Sequence, residues 1–464
     1  MKYISTRGAA PSLAFPGVTL TGLAADGGLY VPEACPQLSG EDIANMAHQN
    51  YVEVAWRVMA PFIGNGVAQA DLVRILKDSY GVFEGGVAPI KELSSGFYLM
   101  ELFHGPTLAF KDVAMQFLGH VFDHLLKHEK KKITIVGATS GDTGSAAIHA
   151  FAGKDTADIF ILHPKGRVSD VQRRQMTTVH DANVRNIAIE GSFDDCQNLV
   201  KALFADETFR AEKNLSAVNS INWARILAQV VYYVYASARI RAETHKPVTF
   251  CVPTGNFGNI YAGYVAKSMG APVDRLITAT NANDILYRFF TTGRMKQEGV
   301  VPTLSPSMDI QVSSNFERLL FDVFGRRPEA VAQTMIHFAG GGAYHLEDEV
   351  MEGVRAVFGT GRCGDNATKD IIGRYWRDHQ YLVDPHTAVG LAVAEDDRKK
   401  HPDSVYVTLA TAHPAKFPDA VRDATGETPD LPAHMSDIFT REEKYETLSN
   451  DLAAVKDYIR KGAG

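Results

Sequence analysis

Lys111 closes the turn-rich run Glu101 to Asp112 and opens an apolar periodicity at Ala114, Phe117, Leu118, Val121, Phe122 and Leu125. This i, i+3, i+4, i+7 spacing predicts a helix with one buried stripe, so Lys111 falls in its first turn. The free N–H groups and the positive end of the helix dipole there disfavour an ammonium. Burial among Leu108, Phe110 and Val113 acts in the same sense. A neutral lysine amine is a nucleophile suited to Schiff-base chemistry. Most lysines are exposed and inert; Gly105-Pro106 and the bulky apolar neighbours argue that this one is placed.

Two glycine-rich turns could serve such a group. Between Val136 and Ala147 a short β-rich run gives way to Thr139-Ser140-Gly141-Asp142-Thr143 and then to a helical pattern. Small residues let N–H groups at a helix start approach an anion, although the same residues suit a tight turn capped by Asp142 or Thr143. Between Val252 and Gly263, Gly255 and Gly258 bracket a loop whose N–H groups can converge on one phosphate. Neither turn matches the dinucleotide or nucleoside-triphosphate fingerprints. A third polar turn, Thr411 to Phe417, follows the apolar run Val405 to Ala410. Thr411 reads there as a strand-end hydroxyl, and His413, one of 16 histidines, receives no catalytic role.

The elements around these turns alternate. Ile133 to Val136, Ile159 to Leu162, Val184 to Ile189, Val248 to Val252 and Leu276 to Ala279 are β-rich runs, each followed by a turn and a helical pattern. Such alternation predicts an α/β fold with a mostly parallel sheet, whose ligands bind at the carboxyl ends of the strands. Upstream, Ile43 and Met46, then Val52, Ala55, Trp56 and Met59, follow helical spacing. Residues 1–92 therefore read as a mainly helical accessory domain, opened by short strands and turns. Residues 93–430 form the catalytic domain, and 431–464 a charged helical tail packed on it through Leu448, Leu452, Val455 and Ile459. Asp384 to Gly390 reads as a structural loop before a helix.

Composition narrows the function. A chain of 464 residues, 45% hydrophobic, is long enough for an enzyme with a cleft, and a net charge of -7 argues against nucleic-acid binding. The longest nearly apolar stretch, between Arg225 and Arg239, is too short to span a membrane and reads as a buried helix. Four widely spaced cysteines suggest free thiols, and the N-terminus lacks a secretory pattern, so the expected location is cytoplasmic. No metal-ligand cluster is legible.

The run HGPTLAFKD, residues 104–112, resembles the pyridoxal-phosphate lysine segment of threonine synthases, which turn O-phosphohomoserine and water into threonine and phosphate. TSGDTG from Thr139, PTGNFGN from Pro253 and the Thr411 segment are similar to further parts of that family. STRG from Ser5 and DGGLYVP from Asp26 resemble the N-terminal module of its longer bacterial and fungal-type branch. The resemblance implies the tryptophan-synthase-β-like fold of type II pyridoxal-phosphate enzymes, two α/β lobes with the cofactor between them.

It also implies roles. Lys111 holds the cofactor and then moves protons at the substrate. Gly255, Asn256, Phe257, Gly258 and Asn259 hold the cofactor phosphate, and Thr411 meets the pyridine nitrogen. Thr139, Ser140, Gly141, Asp142 and Thr143 grip the amino-acid carboxylate, with Asp142 capping or shaping the loop rather than touching it. A substrate phosphate needs further charged donors, for which Arg225, Lys416, Asn219 and Asn222 are candidates and Arg167 and Arg173 reserves. The implied partner is the small molecule O-phospho-L-homoserine, bound by a monomer or homodimer without nucleic acid or membrane. A serine or threonine dehydratase of the same fold is the rival reading; a catalytically silent relative that binds phosphorylated amino acids is another.

Overall fold

The computed structural model describes residues 1–463. Its strands in chain order are β1 (Tyr3–Ser5), β2 (Tyr30–Pro32), β3 (Ile90–Ser94), β4 (Phe97–Glu101), β5 (Ile133–Ala138), β6 (Ala157–Pro164), β7 (Val184–Glu190) and β8 (Leu215–Ser216). They continue as β9 (Val248–Pro253), β10 (Val273–Thr280), β11 (Arg294–Met295), β12 (Tyr344–His345), β13 (Phe358–Arg362), β14 (Val405–Ala410) and β15 (Glu446–Ser449). Two sheets carry the fold. One has the order β13-β10-β9-β14-β4-β3, parallel except for the β3 edge; the other, β15-β7-β6-β5-β8, is parallel throughout. The central strands β6, β9 and β14 are buried at every residue, as strands covered by helices on both faces must be.

The turns that follow β5, β9 and β14 converge on one cleft between the sheets. Behind it runs the helix Trp223–Thr244, the buried helix expected between Arg225 and Arg239. It packs against the helices Lys111–Glu129, Gly258–Ser268 and Tyr51–Ile63. No helix among the described residues is long and apolar enough to cross a membrane.

The N-terminal part is largely helical, with helices at Gly40–Met46, Tyr51–Ile63 and Gln69–Tyr80. A further helix, Phe15–Thr21, stands where turns are expected; Pro16 lies in its first turn, where its missing N–H costs no hydrogen bond. One continuous hydrophobic core joins this part to both sheets. The expected division after residue 92 falls inside β3, whose backbone pairs with β4.

The tail differs from a purely helical one. Leu448 lies in β15, opposite Ile189 of β7, and the tail's helical parts among the described residues are the short 3-10 turn Ala433–Met435 and the α-helix Leu452–Gly462. An open edge on β7 supplies hydrogen-bond partners for Glu446–Ser449, which outweighs the local helical pattern. Val455 and Ile459 are fully buried in the cluster with Phe160 and Ile187 of that sheet.

Candidate active site

The turn ahead of Lys111 is locked by its neighbours. Asp112 is fully buried and accepts from the Thr107 hydroxyl at 2.6 Å and the Thr107 N–H at 2.8 Å. A Cβ at Gly105 would come within 2.5 Å of the Asp112 Cβ, so glycine alone lets the turn close. Leu108 has φ 61°, a left-handed conformation that strains leucine. It is held there because its N–H donates to Gly105 O and its carbonyl accepts from the His413 N–H. Lys111 then begins the helix Lys111–Glu129.

The Lys111 ammonium donates to Asp142 Oδ2 at 2.9 Å and to the Ser307 hydroxyl at 3.3 Å. The other oxygen of Asp142 faces the Lys416 ammonium at 3.0 Å and accepts from Gln172 at 2.8 Å. One carboxylate thus bridges two lysines. Burial lowers the Lys111 pKa from the ordinary lysine value; Asp142 opposes this, while Lys416 and Arg225 add to it. Burial acts to raise Asp142, yet the two lysine charges and the Gln172 amide hold its carboxyl well below the usual carboxylate range.

Facing Lys111 is the loop after β9. Gly255, Asn256, Phe257, Gly258 and Asn259 line the cleft, and Phe257, at φ 63°, leads into the helix Gly258–Ser268 without a side-chain cap. Tyr261 is the first residue of that helix whose N–H reaches an intrahelical carbonyl, Phe257 O, so the N–H groups before it are left for an anion. A Cβ on Gly255 would come within 2.8 Å of the Ser307 carbonyl oxygen, and one on Gly258 within 3.0 Å of Asn315 Nδ2. Asn259 Oδ1 accepts from Tyr232 and Tyr233, which leaves its buried Nδ2 without a partner. Arg225 also lines the cleft with Nε and Nη1 buried and unpartnered, and burial lowers its pKa to about 10. Thr411 completes the wall, and its carbonyl accepts from the Phe110 N–H beside Lys111.

Ser307 and His386 line the cleft and escape the sequence analysis. The Ser307 N–H donates to His386 Nε2 at 3.2 Å, so Nδ1 of His386 carries the proton and faces Asp384 at 2.7 Å. Ser307 also donates its hydroxyl to Asp142 at 3.1 Å. Asp-Pro-His-Thr reads locally as a helix cap, which Asp384 indeed is, and nothing in Ser-Pro-Ser-Met signals a site.

The other expected residues divide. Thr143 lines the cleft beside Asp142. Thr139 does not; its hydroxyl accepts from the Gly141 and Gly144 N–H groups and shapes the loop. Ser140 is exposed, and Gly141, at φ 140°, packs on Gln172. Asp142 is no cap; it is the partner of Lys111. Asn222 must be withdrawn as a phosphate ligand, because its side chain caps the helix Trp223–Thr244 through the Ala224 N–H and donates to Thr19 O. Asn219 lies outside the cleft wall, which includes Ser220 instead. Lys416 is buried on Thr107 O, Gln175 and Asp142, and so meets the carboxylate rather than the open cleft. Of the reserves, Arg173 pairs with Glu443 and Asp170, and Arg167 is exposed.

Three family models cover most of the chain: threonine synthase N terminus over residues 2–80, pyridoxal-phosphate dependent enzyme over 86–339, and threonine synthase, C-terminal, over 387–459. A threonine synthase from Pseudomonas aeruginosa is 52% identical over 99% of this chain and 98% of its own length. The chain belongs to the threonine synthase family. The Schizosaccharomyces pombe threonine synthase is 44% identical over 91% of this chain and 88% of its own. The solved structure of pyridoxal-phosphate-bound threonine synthase from Brucella melitensis has a TM-score of 0.97 at 49% identity, covering 100% of this chain and 99% of that one.

The cofactor of this threonine synthase family member is pyridoxal phosphate. The residues fit it: a lysine with a lowered pKa stands across from uncapped N–H groups, in a loop where glycine keeps the space open. The fold is the type II α/β architecture expected.

Proposed function

We propose that this chain converts O-phospho-L-homoserine and water into L-threonine and phosphate, the closing reaction of threonine biosynthesis. The observation that carries the choice of substrate is the unpartnered, buried guanidinium of Arg225, in the same cleft as the Gly255–Asn259 loop. A cleft that holds one phosphate on backbone N–H groups and keeps a second, charged donor free is built for a phosphorylated substrate.

Bound pyridoxal phosphate supplies a carbonyl that links covalently to an amine and a ring that withdraws electrons. The chain does the rest. Gly255, Asn256, Phe257, Gly258 and Asn259 hold the cofactor phosphate, and Thr411 offers a neutral hydroxyl to the pyridine nitrogen. Arg225 holds the substrate phosphate, and Thr143, at the start of the helix Asp142–Phe151, faces the substrate carboxylate. Lys111 is the base that takes the α-proton and then moves a β-proton. The γ-carbon–oxygen bond breaks with its electron pair leaving on phosphate, the γ-carbon gains a proton, water gives its hydroxyl to the β-carbon, and the α-carbon regains a proton. Asp142 and Ser307 hold the Lys111 side chain in the cleft through its two hydrogen bonds. Four unpaired thiols support a reducing, cytoplasmic location.

The assay is direct. The holoenzyme given O-phosphohomoserine releases phosphate and threonine in equal amounts, and forms no keto acid from serine or threonine. Keto acid from those amino acids, with no phosphate release, would establish the dehydratase reading instead.

A further inference from the structure

The helix Gln69–Tyr80 of the N-terminal part lies along the helix Lys111–Glu129. On the latter, His124 and His128 stand one turn apart, their ring centroids 4.5 Å from each other and their planes at 62°. Across the seam is Asp71. One ring nitrogen from each histidine and one Asp71 oxygen all lie within 4.8 Å of one another. Two histidines at i, i+4 on one helix face form a chelating pair for a divalent transition ion, and a carboxylate from a second element completes a three-ligand set with one position left for water. None of the three lines the catalytic cleft. The set is invisible in the sequence because Asp71 belongs to a different helix.

We propose that Asp71, His124 and His128 bind one zinc-like divalent ion, which clips the N-terminal helix to the helix that carries Lys111. Two imidazole nitrogens select zinc or its transition-metal neighbours over magnesium and calcium, which prefer oxygen. Arg74 competes for Asp71 at 3.1 Å, but its side chain is 57% exposed, and such a surface pair yields readily to a metal. Lys111 lies thirteen positions back along the helix, roughly 20 Å at about 1.5 Å per residue. The ion therefore supports the fold and takes no part in the reaction.

The test is a calorimetric titration of metal-stripped holoenzyme with zinc chloride, paired with thermal melts. The expected result is one ion bound per chain, a raised melting temperature and unchanged turnover. His124→Ala with His128→Ala should abolish that binding, and Asp71→Asn should weaken it on the order of 10-fold or more. His128→Ala alone, at an exposed position, guards against a folding defect and should lose most of the affinity. Copper(II) at the same site should show hyperfine coupling to two nitrogens, reduced to one in His128→Ala. Zinc bound equally well by the double variant, or no stoichiometric binding by the parent chain, overturns the proposal.

Discussion

Asp142 Oδ2 accepts a hydrogen bond from the Lys111 ammonium at 2.9 Å, while Oδ1 of the same carboxylate meets the Lys416 ammonium at 3.0 Å. All three side chains are buried or nearly so. Asp142→Asn keeps the shape and removes the charge between two cations. Breaking a buried pair in this way costs about 3–5 kcal/mol, so the variant should show a markedly lower urea midpoint as well as reduced turnover.

The same pair sets an acid dependence. The folded-state pKa of Asp142 is depressed, so the folded chain binds that proton more weakly than the unfolded chain does. The stabilisation is complete above the unfolded value of about 3.9 and is lost as pH falls from there towards the folded value. Urea unfolding of the parent and of Asp142→Asn should differ by a constant amount near neutrality, and the difference should shrink below about pH 4.

Arg225 separates stability from function. With Nε and Nη1 buried and unpartnered, its charge is a cost to the free protein. Arg225→Met should raise the melting temperature and lower kcat/KM for O-phosphohomoserine. The loss of a charge-assisted phosphate contact, about 1.5–3 kcal/mol, corresponds to roughly 10- to 150-fold.

The glycines of the cradle should rank. At Gly255 an added methyl meets a backbone oxygen at 2.8 Å, which cannot yield cheaply; at Gly258 it meets Asn315 Nδ2 at 3.0 Å, a less severe approach. Overpacking costs about 1–3 kcal/mol. Equilibrium dialysis of pyridoxal phosphate should find Gly255→Ala weakened more than Gly258→Ala.

Much of the fold is legible in the sequence, because the central strands of a parallel sheet are continuous apolar runs and the turns after them line the cleft. Lys111, Gly255, Gly258 and Thr411 stand out for that reason. What local patterns miss depends on distant partners. Ser307 and His386 carry no signature of their own; each enters the cleft only because the loop around Ser307 folds onto the helix that starts at Pro385. Asp142 looks like a helix-start residue until Lys111 and Lys416 arrive from other elements. Asn222 misleads in the opposite direction: an amide beside an arginine suggests a ligand, but at the start of a helix it serves as the cap. Leu448 becomes a strand residue only because β7 offers an open edge.

Borohydride reduction of the holoenzyme, followed by peptide mass mapping, tests the central assignment most directly, since it fixes the cofactor to the lysine that holds it. Two buried lysines share Asp142, and only Lys111 lines the cleft. The phosphopyridoxyl adduct should sit on the peptide containing Lys111 and be absent from Lys111→Ala. An adduct on Lys416, or retention of the adduct in Lys111→Ala, would contradict the assignment.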